Sequence, residues 1–257
     1  MMIKEAASAL IDAEIQKKPI EPFTSLEASI SVDEAYQVQL EYVRNKVENG
    51  AVVAGKKIGL TSKAMQEMLG VNEPDYGHIF HDMTFKNGDS IPLNKFIQPK
   101  IEFEIGFVLK KDLTGPNVTE LDVLDATDYI VPTIEVIDSR IKNWKIKLED
   151  TVADNGSFGA AIKGDKRMAL RDIDIANVVM NVYKNNKKID SATGAAVMGN
   201  PVRAVVWLAN ALSRYGISLN EGELILSGSL SKAITIDEGD TFTAEFSQIG
   251  SVSISFT

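Results

Sequence analysis

The chain has 257 residues, of which 44% are hydrophobic and 25% are charged, and it contains no cysteine. These values are ordinary for a soluble globular protein, and they exclude disulfides, zinc–thiolate sites and a cysteine nucleophile. The net charge of −9 argues against nucleic acid or an anionic membrane surface as a partner. No signal peptide or membrane span is recognisable, so we expect a cytoplasmic protein.

The first fifty residues are predicted to be helical. Apolar residues recur with helical spacing from Ile3 to Leu10, before Pro19. A second helix is predicted to begin at Ser31, which forms a capping-box pattern with Glu34. The expected apolar stripe of this second helix consists of Val32, Tyr36, Leu40, Val43 and Val47.

From about residue 53 the sequence is rich in β-branched residues separated by turn residues, which favours strands. The predicted strands read IGLTS, IEFEIGFVL, DYIVPTIEVID, ANVVMNVYKN, GELILSG, TFTAEF and SVSISF. KNNKK is predicted to be a hairpin turn, and one late helix is expected to be capped by Asn200 with Pro201 in its first turn. We therefore predict an α+β fold with a helical N-terminal portion at residues 1–52 and a β-rich domain at residues 53–257.

Two glutamates share one face of the strand that contains IEFEIGFVL. Because side chains alternate along a strand, Ile101 and Phe103 are expected to face a core, while Glu102 and Glu104 face the other way. Neighbouring carboxylates repel each other unless a positive charge lies between them. The pair therefore fits either a solvated outer face or two ligands of a hard cation such as Mg²⁺, Mn²⁺ or Ca²⁺.

A third glutamate, Glu135, lies inside the apolar run YIVPTIEVID. A strand this hydrophobic is usually buried on both faces, and a buried glutamate needs a partner. A carboxylate from a neighbouring strand would complete one side of an octahedral Mg²⁺ site and would leave positions open for substrate. Asp138 and Arg140 follow closely, and we predict a salt bridge between them.

Two further segments carry candidate acid–base groups. In TVADNGSFG, Asp154, Asn155 and Ser157 offer an acid and hydrogen-bond donors on a loop, or else they form an ordinary Asx turn. In GKKIGLTS, Lys57 is either a base or anion-binding group near a cation, or a solvated lysine of the kind that we expect Lys56 to be.

Several long motifs resemble those of the 2-oxopent-4-enoate (2-hydroxypenta-2,4-dienoate) hydratases. These enzymes belong with the 4-oxalocrotonate decarboxylases in the fumarylacetoacetate hydrolase superfamily. The motifs are GKKIGLTSKAMQEMLGV, EPDYG, IQPKIEFEIGFVL, PTIEVIDSRIKNWKIKLEDTVADN and GELILSGSL, in the family's order and covering nearly the whole chain. The resemblance implies a rolled, barrel-like mixed β-sheet as the catalytic domain behind the helical N-terminal portion. It also implies a homo-oligomer, often a pentamer-based decamer, with a decarboxylase or aldolase of the same pathway as a further candidate partner.

The resemblance also implies roles for individual residues. The ligands of Mg²⁺ or Mn²⁺ fall on Glu102, Glu104 and Glu135, and the catalytic acid–base candidates fall on Lys57, Asp75 and Asp154. The implied substrate-binding residues are Leu60, Asn155, Ser157 and Ser229. The family usually has alanine where this chain has Gly156, a change that is expected to loosen the loop and to alter the fit of the substrate.

The reaction implied is the addition of water to 2-hydroxypenta-2,4-dienoate, or a close homologue, to give 4-hydroxy-2-oxopentanoate in the meta-cleavage pathway of aromatic hydrocarbon catabolism. The carboxylate and 2-oxo oxygens of this small dienoic acid would chelate the cation. Two alternatives stay open. A 4-oxalocrotonate decarboxylase would use the same chelation to release CO₂, and a non-catalytic partner subunit of a hydratase/decarboxylase complex would need no intact centre.

Overall fold

The structure is a computed structural model, and it describes residues 2–25 and 30–257. The α-helices of these residues are α1 (Ile3–Gln16), α2 (Val32–Glu48), α3 (Lys63–Leu69), α4 (Glu120–Ala126), α5 (Leu148–Ala153) and α6 (Pro201–Leu212). The strands are β1 (Val53–Gly59), β2 (Asp75–Phe80), β3 (Thr84–Lys86), β4 (Ser90–Ile91), β5 (Pro99–Leu109), β6 (Thr127–Asp138), β7 (Phe158–Lys163), β8 (Val179–Lys184), β9 (Lys187–Thr193), β10 (Leu224–Leu226), β11 (Ile234–Thr235), β12 (Thr241–Phe246) and β13 (Gly250–Phe256).

The strands form two mixed sheets. The larger sheet has the order β2-β1-β10-β5-β6-β7-β3, with β11 pairing alongside β5, and it curls as a half-barrel. The smaller sheet has the order β4-β13-β12-β8-β9. The predicted α+β class with a rolled mixed sheet and N-terminal helices is therefore confirmed. None of the described helices is both long and apolar enough to cross a membrane.

The predicted helices are confirmed, with one change to the buried face. Ser31 caps α2 by accepting a hydrogen bond from the backbone N–H of Glu34, and Asn200 caps α6 in the same way through Val202. The predicted stripe of α2 is wrong at its end, because Val47 is 45% exposed. The buried face turns instead toward Gln39, which is fully buried.

The prediction for the first strand was wrong in its bounds. β1 runs from Val53 to Gly59 rather than over IGLTS, because Leu60 adopts a left-handed conformation with φ 56° and Ser62 caps α3. Lys56 is not solvated as predicted. It is buried in β1, where its Nζ lies 2.5 and 2.7 Å from the two carboxylate oxygens of Glu223. Hydropathy did not predict this strand because Lys56 and Lys57 are both buried in it, although lysines are usually exposed.

The smaller sheet follows the sequence closely. TFTAEF and SVSISF form β12 and β13, and KNNKK contains the turn between β8 and β9. Asn185 and Asn186 at this turn have φ values of 51° and 65°, the left-handed values that a tight hairpin turn requires. The predicted hairpin is therefore confirmed.

The two faces of β5 separate the main core from the site. Ile101, Phe103 and Ile105 are fully buried in a core that also contains Leu10 of α1 and Tyr42 of α2. Because the N-terminal helices share this core, the division at residue 52 stays a prediction. The opposite face of the large sheet carries a small apolar cluster at one end and the predicted carboxylates at the other.

Candidate metal centre and active site

Three glutamates converge on the inner face of the large sheet. Glu102 of β5 lies directly opposite Glu135 of β6 in the antiparallel pair, and Glu104 is the next residue on the same face of β5. One carboxylate oxygen from each glutamate lies within 4.8 Å of the other two. Glu104 and Glu135 have no exposed surface, and Glu102 is half-buried. The register of one strand pair thus brings together the three residues that were predicted as ligands.

The hydrogen bonding of these carboxylates is incomplete. The backbone N–H of Gly228 donates to Glu104 Oε2 at 2.7 Å, but Glu104 Oε1 and Glu135 Oε2 have no donor among the described residues. Burial, together with the charge of Glu102, raises the pKa of Glu104 to about 8, and burial raises the pKa of Glu135 well above its usual range. Buried carboxylate oxygens without donors fit a divalent cation with oxygen ligands, which would supply the missing positive charge.

The raised pKa of Glu104 predicts an unusual pH dependence for the metal-free protein. Above the ordinary pKa of a glutamate, the folded chain retains a proton in the buried Glu104–Glu135 pair that the unfolded chain has released. The free energy of unfolding should therefore fall as the pH rises through this window. Thermal unfolding with a chelator should show this fall in the wild type and a smaller one in Glu104→Gln, and equal slopes for both proteins would contradict it.

Lys57 of β1 reaches the cluster from the side. Its Nζ lies 3.2 Å from Glu135 Oε1 and donates a hydrogen bond to the carbonyl oxygen of Gly156 at 3.0 Å. Burial alone would lower the pKa of Lys57, but the facing carboxylates of Glu135 and Asp75 raise it above its usual range. Lys57 is therefore a buried ammonium group that offsets part of the negative charge of the centre.

Asp75 lies beside Lys57 because the residue opposite it on β1 is a glycine. Asp75 pairs with Gly59 across β1 and β2, and a Cβ atom at Gly59 would lie 2.1 Å from Asp75 Oδ1 and 3.5 Å from Lys57 Nζ. Thr151 donates to Asp75 Oδ2 at 3.3 Å, whereas Oδ1 has no donor in the described part of the chain. Burial raises the pKa of Asp75. Gly59 thus makes room for an acid and an ammonium group side by side.

The salt bridge predicted between Asp138 and Arg140 is wrong. The Arg140 guanidinium pairs with the carboxylate of Asp154, and its backbone N–H donates to the same carboxylate at 3.0 Å. Asp138 instead accepts hydrogen bonds from the backbone N–H groups of Ile97 and Gln98 at 2.9 and 2.7 Å. The carboxylate of Asp154 is therefore fully engaged in a buried ion pair.

The residues that follow Asp154 form a tight left-handed turn. Asn155, Gly156 and Ser157 have φ values of 55°, 59° and 54°. The side-chain amide of Asn155 accepts from the N–H of His78 at 2.7 Å and donates to its carbonyl oxygen at 2.9 Å. Ser157 donates to Asp154 at 3.2 Å. These contacts hold the turn against β2, so the geometry favours positioning roles over the acid–base and substrate-binding roles that the resemblance implied, and those roles stay predictions.

Gly156 connects this turn to Lys57. Its carbonyl oxygen accepts the lysine hydrogen bond, and a Cβ atom at this position would lie 3.2 Å from Lys57 Cδ. An alanine here would therefore crowd the lysine side chain. The glycine leaves Lys57 more room, which gives a physical reason for the predicted change in substrate fit.

The other predicted substrate-binding residues lie just after strands of the large sheet. Leu60 follows β1 and is half-buried, and its left-handed backbone is unusual for a side chain of this size. Ser229 follows β10, and its hydroxyl donates to the carbonyl oxygen of Ser231 at 2.8 Å. Gly59, which precedes Leu60, lies opposite Asp75, and Gly228, which precedes Ser229, donates its backbone N–H to Glu104. The substrate-binding roles of Leu60 and Ser229 stay predictions.

One buried residue that supports Asp75 was missed in the sequence. The side-chain nitrogen of Gln39 donates to the carbonyl oxygens of Tyr76 and Val152, at 2.8 Å in each case. These carbonyls belong to the neighbours of Asp75 and Thr151, so Gln39 ties together the two segments that meet at Asp75. A polar residue on the apolar face of a predicted helix was the available signal.

Comparison with known proteins places the chain in a family. Residues 51–256 match the family model described as the fumarylacetoacetate (FAA) hydrolase C-terminal domain. The chain belongs to the fumarylacetoacetate hydrolase family. It is 43% identical over 253 residues to the 2-keto-4-pentenoate hydratase of Paraburkholderia xenovorans strain LB400. This alignment covers 98% of this chain and 94% of that relative. It is also 45% identical over 218 residues to a 2-hydroxypent-2,4-dienoate hydratase of Pseudomonas putida. This second alignment covers 84% of this chain and 98% of that relative.

A solved structure supports the same placement for this member of the fumarylacetoacetate hydrolase family. The 4-oxalocrotonate decarboxylase from Pseudomonas putida G7, complexed with magnesium and adipate, superposes with a TM-score of 0.96 at 35% sequence identity. The match covers 99% of this chain and 97% of that one. The resemblance to the hydratase and decarboxylase branch of the family is therefore confirmed.

Proposed function

We propose that this chain is a divalent-metal-dependent hydratase that adds water to 2-hydroxypenta-2,4-dienoate, or a close homologue, giving 4-hydroxy-2-oxopentanoate. The observation that carries the proposal is the buried cluster of Glu102, Glu104 and Glu135 with Lys57 against it. The hydratase relatives favour this reaction, at 43% and 45% identity. A decarboxylase is the second candidate, because the 4-oxalocrotonate decarboxylase structure superposes with a TM-score of 0.96. It ranks second because its sequence identity to this chain is lower, at 35%.

Mg²⁺ or Mn²⁺ suits the centre, and Glu102, Glu104 and Glu135 would hold it, since hard cations prefer carboxylate oxygens. When bound, the cation supplies Lewis-acid stabilisation of negative charge on the 2-oxo oxygen of the substrate. Three protein ligands would leave room for the substrate in the coordination shell.

We infer that Lys57 and Asp75 are the groups that move protons. Asp75 Oδ1 has no donor among the described residues, and burial raises the pKa of this carboxyl, which favours a role as the base that takes a proton from water. Lys57 stays protonated beside the glutamates, which favours delivery of a proton or a hydrogen bond to the substrate. We infer that Asp154 has a structural role, since it pairs with Arg140 and accepts a hydrogen bond from Ser157 in the left-handed turn.

Side-by-side assays of 2-hydroxypenta-2,4-dienoate and 2-oxohex-3-enedioate with Mg²⁺ test the proposal. We expect hydration of the first substrate and loss of activity on chelation. Turnover of the second substrate alone, with release of CO₂, would establish the decarboxylase. If a metal-loaded, folded protein turned over neither these substrates nor longer 2-hydroxydienoate homologues, the partner-subunit alternative would be favoured instead.

We also propose that the chain forms a homo-oligomer in the cytoplasm and associates with a decarboxylase or aldolase of the same pathway. Family resemblance is the support for these points. Sedimentation of the purified chain, alone and with such an enzyme, tests the assembly.

Gly59→Ala should impair catalysis without removing the metal. The new Cβ atom would collide with Asp75 Oδ1, and a displacement of about 1 Å at a reacting group can cost about 100-fold in rate. We expect turnover to fall by about that factor while the affinity for Mg²⁺ changes little. Gly88→Ala is the control for lost stability alone, since a Cβ atom there meets no neighbour but the left-handed φ of 83° strains an alanine backbone. Wild-type turnover by Gly59→Ala would contradict the placement of Asp75 in the mechanism.

Asp154→Asn should act mainly on stability. Removing one partner of a buried ion pair costs about 3–5 kcal/mol, because the other charge stays buried without compensation. We expect a large fall in the denaturation midpoint and an unchanged affinity for Mg²⁺. Glu21→Gln, which breaks the exposed pair with Lys142, should leave the midpoint unchanged. A stable Asp154→Asn protein without activity would restore Asp154 as a catalytic candidate.

A further inference from the structure

Lys100 is a cation beside the candidate metal centre, and none of the described carboxylates forms an ion pair with it. It lies two residues before Glu102 on β5, so its side chain emerges on the same face as Glu102 and Glu104. The residue is half-buried. Within residues 2–25 and 30–257, no carboxylate oxygen lies within the 4.0 Å of its Nζ that defines an ion pair.

An aromatic ring holds this ammonium group in place. Lys100 Nζ lies 4.4 Å from the ring centre of Trp144, and the indole N–H donates to the carbonyl oxygen of Gln98 at 3.0 Å. Asn143 and Trp144 both have left-handed backbones, with φ values of 58° and 54°, and such strain is usually retained where a side chain must be aimed. A cation–π contact positions the ammonium without cancelling its charge, as a carboxylate would.

The net negative charge of the centre suggests a role for the Lys100 ammonium group. Four carboxylates, those of the three glutamates and of Asp75, surround the single ammonium of Lys57. A bound divalent cation would still leave the centre negative, yet the substrate is an anion. Burial raises the pKa of the Glu102 carboxyl, and the positive charges of Lys57 and Lys100 both act to lower it. Lys100 is therefore a positive charge near Glu102 with which an incoming carboxylate can pair.

We propose that Lys100 is a substrate-binding residue whose ammonium, held over Trp144, pairs with the carboxylate that the substrate presents to the metal centre. This assignment rests on the proposed function only in naming the ligand as a 2-oxo acid anion. Trp144 acts as a positioning residue for Lys100, and together they form a carboxylate subsite on the side of Glu102 away from Glu104.

Oxalate binding to the Mg²⁺-loaded protein tests the proposal without any turnover. Lys100→Met should raise the oxalate Kd at least about tenfold, the loss of one charge-assisted contact, and should leave the Mg²⁺ Kd within about threefold. Lys110→Met is the matched control, because Lys110 is an exposed lysine just beyond the other end of β5. Lys100→Arg should retain most of the affinity. The chain has two tryptophans, so Trp207→Phe leaves Trp144 as the only tryptophan, and its emission on selective excitation should change when oxalate binds.

Adipate, with a second carboxylate far from the first, provides the discriminating arm. Weaker binding of both oxalate and adipate by Lys100→Met supports the proposal. Weaker binding of adipate alone would mean that Lys100 contacts a distal carboxylate, and it would overturn the proposal. Equal losses in Lys110→Met would reduce the effect to long-range charge and would also overturn it. If oxalate binding depends on Lys100 while 2-hydroxypenta-2,4-dienoate is not hydrated, the residue assignment stands and the proposed function fails.

Discussion

Glu135→Gln is expected to weaken Mg²⁺ binding by at least about 100-fold, because altering even the residues that support metal ligands costs about 10- to 100-fold. Glu135 lies opposite Glu102 at the centre of the strand pair, has no exposed surface, and contributes one oxygen without a donor among the described residues. The amide keeps the shape of the side chain but removes the negative charge that a hard cation requires. Turnover should fall by at least the same factor at Mg²⁺ concentrations that saturate the wild type.

The measurement is a calorimetric Mg²⁺ titration of the variant beside the wild type, followed by turnover at both low and very high Mg²⁺. Glu245→Gln, an exposed glutamate on β12, is the control for loss of one negative charge. Activity of Glu135→Gln that recovers at high Mg²⁺ agrees with weakened binding of a required ion. Wild-type Mg²⁺ affinity in this variant would rule out Glu135 as a ligand.

Lys57→Met is expected to separate metal binding from catalysis. Proton transfer by a positioned side chain contributes about 100- to 10,000-fold to rate, so we expect turnover to fall within that range. Mg²⁺ affinity should stay the same or increase, because the variant removes a positive charge 3.2 Å from Glu135 Oε1. This combination is opposite to the result expected for Glu135→Gln.

Lys56→Met provides a matched control one residue away. Lys56 is also buried, but it pairs with Glu223 on the other face of β1. Its loss should lower the free energy of unfolding and leave the turnover of the folded protein close to that of the wild type. If Lys57→Met retained wild-type turnover, or lost Mg²⁺ binding together with activity, the proposed division of roles between the lysine and the glutamates would be wrong.

The sequence predicted the regular parts of the fold well because local patterns determine them. The capping box at Ser31, the helix opened by Asn200 and the hairpin at Asn185 all depend on nearby residues. The first strand was misplaced because Lys56 and Lys57 are both buried, and hydropathy alone gives no sign that a lysine has a partner elsewhere in the chain.

The candidate site divides in the same way. The placement of Glu102 and Glu104 on one face follows from strand alternation, whereas their alignment with Glu135 depends on the register between two strands that are about thirty residues apart. Long-range contacts were not predictable from local pattern. Arg140 pairs with Asp154 rather than with its neighbour Asp138, and Gln39 supports Asp75 from a distant helix.

Anomalous diffraction from crystals grown with Mn²⁺ and oxalate would locate the metal site. We expect one strong manganese peak between the carboxylates of Glu102, Glu104 and Glu135, with oxalate bound on the side of Lys57 and Lys100. A strong peak elsewhere in the chain, or no peak among these glutamates at saturating Mn²⁺, would contradict this expectation.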